Sequence, residues 1–237
     1  MSVQSVTPSR PVVAARRSAG ATSLPLPDFS PVSIIGRRAR PVELCGHGET
    51  LRTMNIIHKD EITDRAYALC HHVLNDVLRG TQATFVPILN GALDFQSTIS
   101  HFVHEAASVE LMPIQARSYG PGVVPGEVSI VTENIVPEMV RGRTLVIVDD
   151  ILDSGSTAAQ ILSHLKPYHP ERIITVFMIK KVKPVVPLIR ADYWLFECYG
   201  GSFVFGYGMD LNQKYRQLRF VCDNSLDLYD EQGRPLY

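Results

Sequence analysis

The chain has 237 residues, 45% of them hydrophobic and 20% charged, with a formal net charge of −1. A chain of that length forms one large or two small domains and buries enough apolar surface to fold without disulfide or metal staples. Its four cysteines (Cys45, Cys70, Cys198, Cys222) form no CxxC pair, and no apolar run reaches membrane-spanning length. A zinc ribbon, a secreted disulfide scaffold, a transmembrane helix and, on charge, a general nucleic-acid binder are excluded. Neither a membrane nor a nucleic acid is expected as a partner, and the dispersed thiols fit a reducing, cytoplasmic setting.

Charge is unevenly spread. Residues 1–42 carry six arginines (Arg10, Arg16, Arg17, Arg37, Arg38, Arg40) against Asp28, which makes them +5 and leaves −6 on residues 43–237. This Ser/Pro/Ala-rich stretch has no sustained period and fits either a disordered tail or an organellar transit peptide. Residues 1–50 are therefore expected to be an N-terminal extension, and 51–237 the folded domain.

From there the elements follow in order. Ile62, Ala66, Leu69, Cys70, Val73, Val77 and Leu78 recur at helical spacing before Gly80. A buried strand is expected over 84–89, ending at Asn90-Gly91, then a helix over 92–104. Strands over 109–117 and 127–131 flank a Gly/Pro-rich loop. Residues 144–148 are wholly apolar, as in a parallel strand covered on both faces. A helix over 157–165 and a strand over 173–179 complete a βαβ unit, so the class is α/β: a mostly parallel twisted sheet flanked by helices. Short β-like pieces from Tyr193 onward are expected to form a small cap.

Residues 145–157, Leu-Val-Ile-Val-Asp-Asp-Ile-Leu-Asp-Ser-Gly-Ser-Thr, carry the chemistry. A buried strand delivers Asp149 and Asp150 at its C-terminal end, where open α/β sheets bind ligands. Ser154, Gly155, Ser156 and Thr157 then open a helix whose amides and dipole suit a phosphate, with hydroxyls as further donors. Like charge keeps the carboxylates from the phosphate; they suit sugar hydroxyls or a hydrated magnesium ion. A phosphate at one end and a diol nearby describe ribose 5-phosphate. A P-loop and a dinucleotide fingerprint are both absent.

This segment resembles the phosphoribosyl-pyrophosphate signature of type I phosphoribosyltransferases: four apolar residues, two acids, then a hydroxyl-Gly-x-Thr loop. Within that family the hypoxanthine-guanine branch is the best match, over roughly residues 55–230. Ser118-Tyr119-Gly120 resembles its mobile-loop Ser-Tyr, Phe203-Val204-x-Gly206-Tyr207 its base-stacking segment, and Lys180, Asp210 and Arg216 stand where it has a lysine, an acid and an arginine.

The resemblance implies transfer of phosphoribose to a purine, with release of pyrophosphate and with Mg2+ as cofactor. Asp149, Asp150 and Asp210 would hold the metal or the ribose hydroxyls. Asp153 would be the general base near purine N7. Lys180 would donate to the 6-oxo group, Phe203 would stack on the base, and the Val204 backbone would read its edge. Arg216, Asn90 and Gly91 would meet pyrophosphate, and Ser118 and Tyr119 would form a lid that excludes water. A homodimer or homotetramer is also implied.

Three positions depart from the pattern. Asn90 replaces the lysine of a Leu-Lys-Gly segment, Asp149 replaces a glutamate, and Ser202 replaces a lysine before the stacking phenylalanine. The peptide before Gly91 is expected to be cis by the same resemblance. A transferase for another base, xanthine or a specialised analogue included, and a non-catalytic nucleotide-binding regulator on the same fold are the alternatives. A regulator of that kind should present a basic face, against the −6 of residues 43–237.

Overall fold

The computed structural model describes residues 32–33, 40–46, 49–106, 108–118, 128–199 and 203–223, with side chains from residue 57 onward except at 117–118 and 128–129. A short strand β1 (Val32–Ser33) precedes the antiparallel pair β2 (Arg40–Gly46) and β3 (Glu49–His58). Helix α1 (Lys59–Leu69) runs through a π-helical turn, Cys70–Leu74, into α2 (Asn75–Leu78), and Gly80 follows at φ +69°. Next come β4 (Gln82–Leu89), α3 (Leu93–Ser100), β5 (Ser108–Leu111), β6 (Ile114–Ser118) and β7 (Val128–Ile130). β8 (Thr144–Leu152), α4 (Ser156–Leu165) and β9 (Arg172–Val182) form the βαβ unit; β10 (Tyr193–Tyr199), β11 (Val204–Phe205) and β12 (Phe220–Asp223) complete the chain.

The larger sheet has the order β1-β10-β9-β8-β4-β6-β7, with β5 also paired to β4. It is parallel throughout except for the antiparallel β6–β7 edge. The single strand expected over 109–117 is split into β5 and β6 at Met112-Pro113, because proline has no N–H to give the ladder. β8 shows how the sheet is filled: Val146 and Val148 join the core under α1 and α3, while Leu145 and Ile147 join the core under α4. Both faces are dry, which is why this strand reads as one apolar run.

Two expectations need correction. The cap does not begin at Tyr193: β10 belongs to the larger sheet, parallel to β9. The small sheet is instead β11-β12-β3-β2, so β2 and β3, partly inside the supposed extension, are built into the fold. The sequence hides them because β2 is an edge strand, which tolerates Pro41 and charge, and because β3 is paired on its other side by β12, from the far end of the chain. The reading of residues 1–42 as a tail or transit peptide falls, apart from 32–33 and 40–42, outside the described residues. No helix among the described residues is long and apolar enough to cross a membrane.

Candidate active site

The alternation of β8 breaks at its two acids. Ile151 packs with Val146 and Val148, and Leu152 with Leu145 and Ile147, so the strand changes phase between Val148 and Ile151. The amide of Asp150 donates to Asp149 Oδ1 at 3.0 Å and that of Ile151 to Asp150 Oδ1 at 2.7 Å. Both carboxylates are thereby held at the C-terminal end of the strand. Asp149 is only 8% exposed. Burial, with the Asp150 charge beside it, pushes the Asp149 carboxyl well above the usual range. Burial also raises Asp150, opposed by hydrogen bonds from Asp149 and Ile151 and by the Arg216 charge.

These acids border an open cleft of about 290 Å³, shared with Leu89, Asn90, Gly91, Thr157, Asp210 and Arg216. Gly91 fits only because it has no side chain, since a Cβ there would overlap the Asp150 carboxylate. The cis peptide lies one bond earlier than expected, at Leu89–Asn90. Asn90 itself is exposed at the cleft edge.

Gly155, at φ +75°, turns the chain into α4, and a Cβ there would crowd Ile189 at 3.2 Å. Ser156 N donates to Ser154 Oγ at 3.3 Å, and Leu188 N donates to Ser154 O at 2.8 Å. Thr157, in the first turn of α4, faces the same cleft as the two acids. Phosphate-type donors and sugar-type acceptors therefore adjoin, as the sequence motif requires.

From the small sheet, the loop between β11 and β12 closes the opposite wall. Gly208, at φ +93°, packs so tightly on the Gly91 carbonyl that a Cβ would overlap it. Arg216 donates to Gly208 O at 2.7 Å and pairs with Asp210 at 2.5 Å, and Asp210 also accepts from Gln213 N. Among the described residues no three His, Cys, Asp or Glu side chains are grouped to hold an ion by themselves. Asp149, Asp150 and Asp210 nevertheless border one cleft, and a buried carboxylate crowded by a half-buried one suits a hard cation completed by substrate oxygens and water.

The base end departs most from the sequence reading. Lys180 turns away from the site, its Nζ 4.0 Å from the centre of the Trp194 ring. Lys181 takes the expected place. It is 10% exposed, with Nζ 3.6 Å from Asp153 Oδ2 and 5.9 Å from the centre of the Phe203 ring. The reason is a second phase change. Strict alternation from Ile174, Val176 and Met178 would bring Lys180 to the cap side, but Met178 and Ile179 both enter the same core, and the pattern slips by one residue. Lys183, likewise unforeseen, bonds Asp153 Oδ1 at 2.5 Å. The run Lys180-Lys181-Val182-Lys183 reads as a solvated strand end, and that disguises both residues.

Phe203 is 46% exposed beside Lys181, whereas Val204 is buried in β11, paired with Asp223. Ser118 ends β6. Tyr119 and Ser202 lie outside the described residues, as does the lid expected around Tyr119.

A parallel sheet whose central strand ends in paired acids, a phosphate-type loop and a capping small sheet defines an α/β protein that handles a phosphorylated sugar. The chain belongs to the phosphoribosyl transferase domain family, whose model matches residues 57–214. It is 32% identical over 151 residues to the hypoxanthine-guanine phosphoribosyltransferase of Crithidia fasciculata, covering 63% of this chain and 71% of that one. It is 28% identical over 167 residues to that of Bacillus subtilis (strain 168), covering 70% and 89%. A solved hypoxanthine phosphoribosyltransferase from Staphylococcus aureus has a similar fold, with TM-score 0.64 and 23% identity over 74% of this chain and 93% of that one.

Proposed function

We propose that the protein transfers the phosphoribosyl group of phosphoribosyl pyrophosphate to a 6-oxopurine, hypoxanthine or guanine, releasing pyrophosphate, in purine salvage. The observation that carries this reading is the pair formed by Lys181 Nζ and Asp153 Oδ2, 3.6 Å apart beside Phe203. One is an obligatory donor and the other an acceptor. A 6-oxopurine protonated at N7 presents the complementary edge, an acceptor O6 next to a donor N7–H. Adenine presents an amino donor where Lys181 also donates, so one partner would be left unmet.

N9 then attacks C1′ as the bond to pyrophosphate breaks, and the N7 proton passes to Asp153. The same carboxylate favours the positive charge that develops on the ribose. Phe203 supplies the stacking face, Ser154–Thr157 the 5′-phosphate donors, and Arg216 a cation toward pyrophosphate. Asp149, Asp150 and Asp210 would hold Mg2+, which when bound neutralises charge on the departing pyrophosphate.

The test is an ultraviolet assay with magnesium and phosphoribosyl pyrophosphate, offering hypoxanthine, guanine, xanthine, adenine and uracil in turn, with products identified by mass. Turnover of 6-oxopurines but not adenine is the expected result. Binding of the donor without turnover of any base would overturn the proposal.

A further inference from the structure

Asp153 is held by two lysines that do different things. Lys181 is largely enclosed and lies 3.6 Å from Oδ2, on the side of Phe203. Lys183 lies 2.5 Å from Oδ1, with side-chain exposures of 38% for Lys183 and 42% for Asp153. An ion pair so open to solvent contributes little to folding stability. Its geometric effect is specific: it occupies one carboxylate oxygen and leaves the other, next to Lys181, to meet a ligand.

The backbone around this contact is tied to the same loop. Lys183 directly follows β9 and precedes Pro184, which restricts it to extended conformations. Five residues on, Leu188 N donates to Ser154 O at 2.8 Å, and Ile189 abuts Gly155. The segment bearing Lys183 and the loop bearing Asp153 are thus fastened to each other. Without Lys183 the Asp153 carboxylate is held only by the longer contact to Lys181 and can turn about its terminal bond; with a lysine at each oxygen it has one preferred orientation.

We propose that Lys183 is a positioning residue that orients the Asp153 carboxylate so that Oδ2 faces the N7–H of the incoming purine. The inference rests on the reading of Asp153 as the acceptor of the N7 proton. Two inert analogues separate the two ideas: 9-deazahypoxanthine keeps the N7–H donor, and 7-deazahypoxanthine lacks it. Each is titrated calorimetrically into the full chain with magnesium and pyrophosphate.

Lys183→Met is expected to weaken 9-deazahypoxanthine about tenfold, the lower end for loss of an orienting partner, and to change 7-deazahypoxanthine less than about twofold. Lys183→Arg is expected to restore the wild-type preference. Equal weakening of both analogues, or no weakening of 9-deazahypoxanthine, overturns the role of Lys183. Asp153→Ala, which removes the acceptor altogether, tests the underlying reading separately. If it leaves the preference for 9-deazahypoxanthine intact, Asp153 does not receive N7–H. If it abolishes that preference while Lys183→Met does not, the inference about Lys183 alone fails.

Discussion

Lys181 and Asp153 meet across neighbouring strand ends, Nζ to Oδ2 at 3.6 Å, whereas Lys180, one residue earlier, stacks on Trp194 on the other face. The two lysines are therefore expected to differ sharply on substitution. Lys181→Ala removes a charged hydrogen-bond donor, a loss of about 1.5–3 kcal/mol, so KM for hypoxanthine should rise about 10- to 100-fold. Lys180→Ala should leave KM within about threefold, because its half-buried contact with Trp194 lies on the other face and touches no part of the base site. Steady-state kinetics on the two variants decide the matter, and the reverse ranking would return the role to Lys180.

Asp153→Asn keeps the shape of the side chain and removes its basicity. General-base contributions run from about 10²- to 10⁴-fold, so kcat should fall at least about a hundredfold. KM for phosphoribosyl pyrophosphate should stay within about twofold, since Ser154–Thr157 are untouched. Retention of kcat within about threefold, roughly 0.7 kcal/mol of barrier, would remove Asp153 from proton transfer.

The legible parts of this molecule were those set by local pattern. The apolar run of β8 followed by two acids and a Ser-Gly-Ser-Thr turn specifies a buried parallel strand, a ligand-bearing strand end and a helix start, and all three are found together. The helix before Gly80 likewise follows from its 3.6-residue period. What stayed hidden depends on long-range register. β2 and β3 are strands because β12, more than 150 residues away, pairs with β3. Lys181 faces the site because β9 slips phase at Met178-Ile179, and one residue of slip exchanges the faces of every later side chain. Neither event leaves a mark in local composition.

Gly208 and Gly80 both adopt positive φ, +93° and +69°, yet differ in surroundings. A Cβ at Gly80 meets nothing within 4 Å, while one at Gly208 overlaps the Gly91 carbonyl. Gly80→Ala should therefore cost only the left-handed conformation, about 1 kcal/mol. Gly208→Ala must also displace the loop that carries Asn90 and Gly91, and should cost about 2–4 kcal/mol, with donor binding impaired. Thermal melts read the difference as a drop in Tm of about 2–4 °C per kcal/mol for a chain of this size. Equal shifts in the two variants would mean that the Gly91–Gly208 contact is slack.

Cys70 lies at the start of the π-helical turn, fully buried, and burial pushes its thiol up to about 12. At pH 8 a thiol of that acidity is thiolate in about one molecule in ten thousand, and the thiolate is the reactive form. Alkylation of Cys70 by iodoacetamide should be undetectable in the native protein and complete in denaturant. Native modification at the rate of a free thiol, followed by peptide mass mapping, would show that α1 opens locally.

Asn90 offers a gain-of-charge test of the pyrophosphate end. The described cleft walls carry Asp149, Asp150 and Asp210 against the single cation Arg216, and Arg216 is already paired with Asp210. A polyanionic donor therefore enters a site short of positive charge. Asn90 is exposed at the cleft edge, so Asn90→Lys can be accommodated without burying an ammonium group. One added charge near a phosphate at partly screened distance should lower KM for phosphoribosyl pyrophosphate about three- to tenfold, with KM for the purine unchanged. Because the attraction is solvent-exposed, the gain should shrink as salt is raised from about 0.05 to 0.5 M and the Debye length contracts. An unchanged donor KM at low salt would mean that residue 90 points away from the pyrophosphate, and that the loss of lysine there is neutral to donor binding.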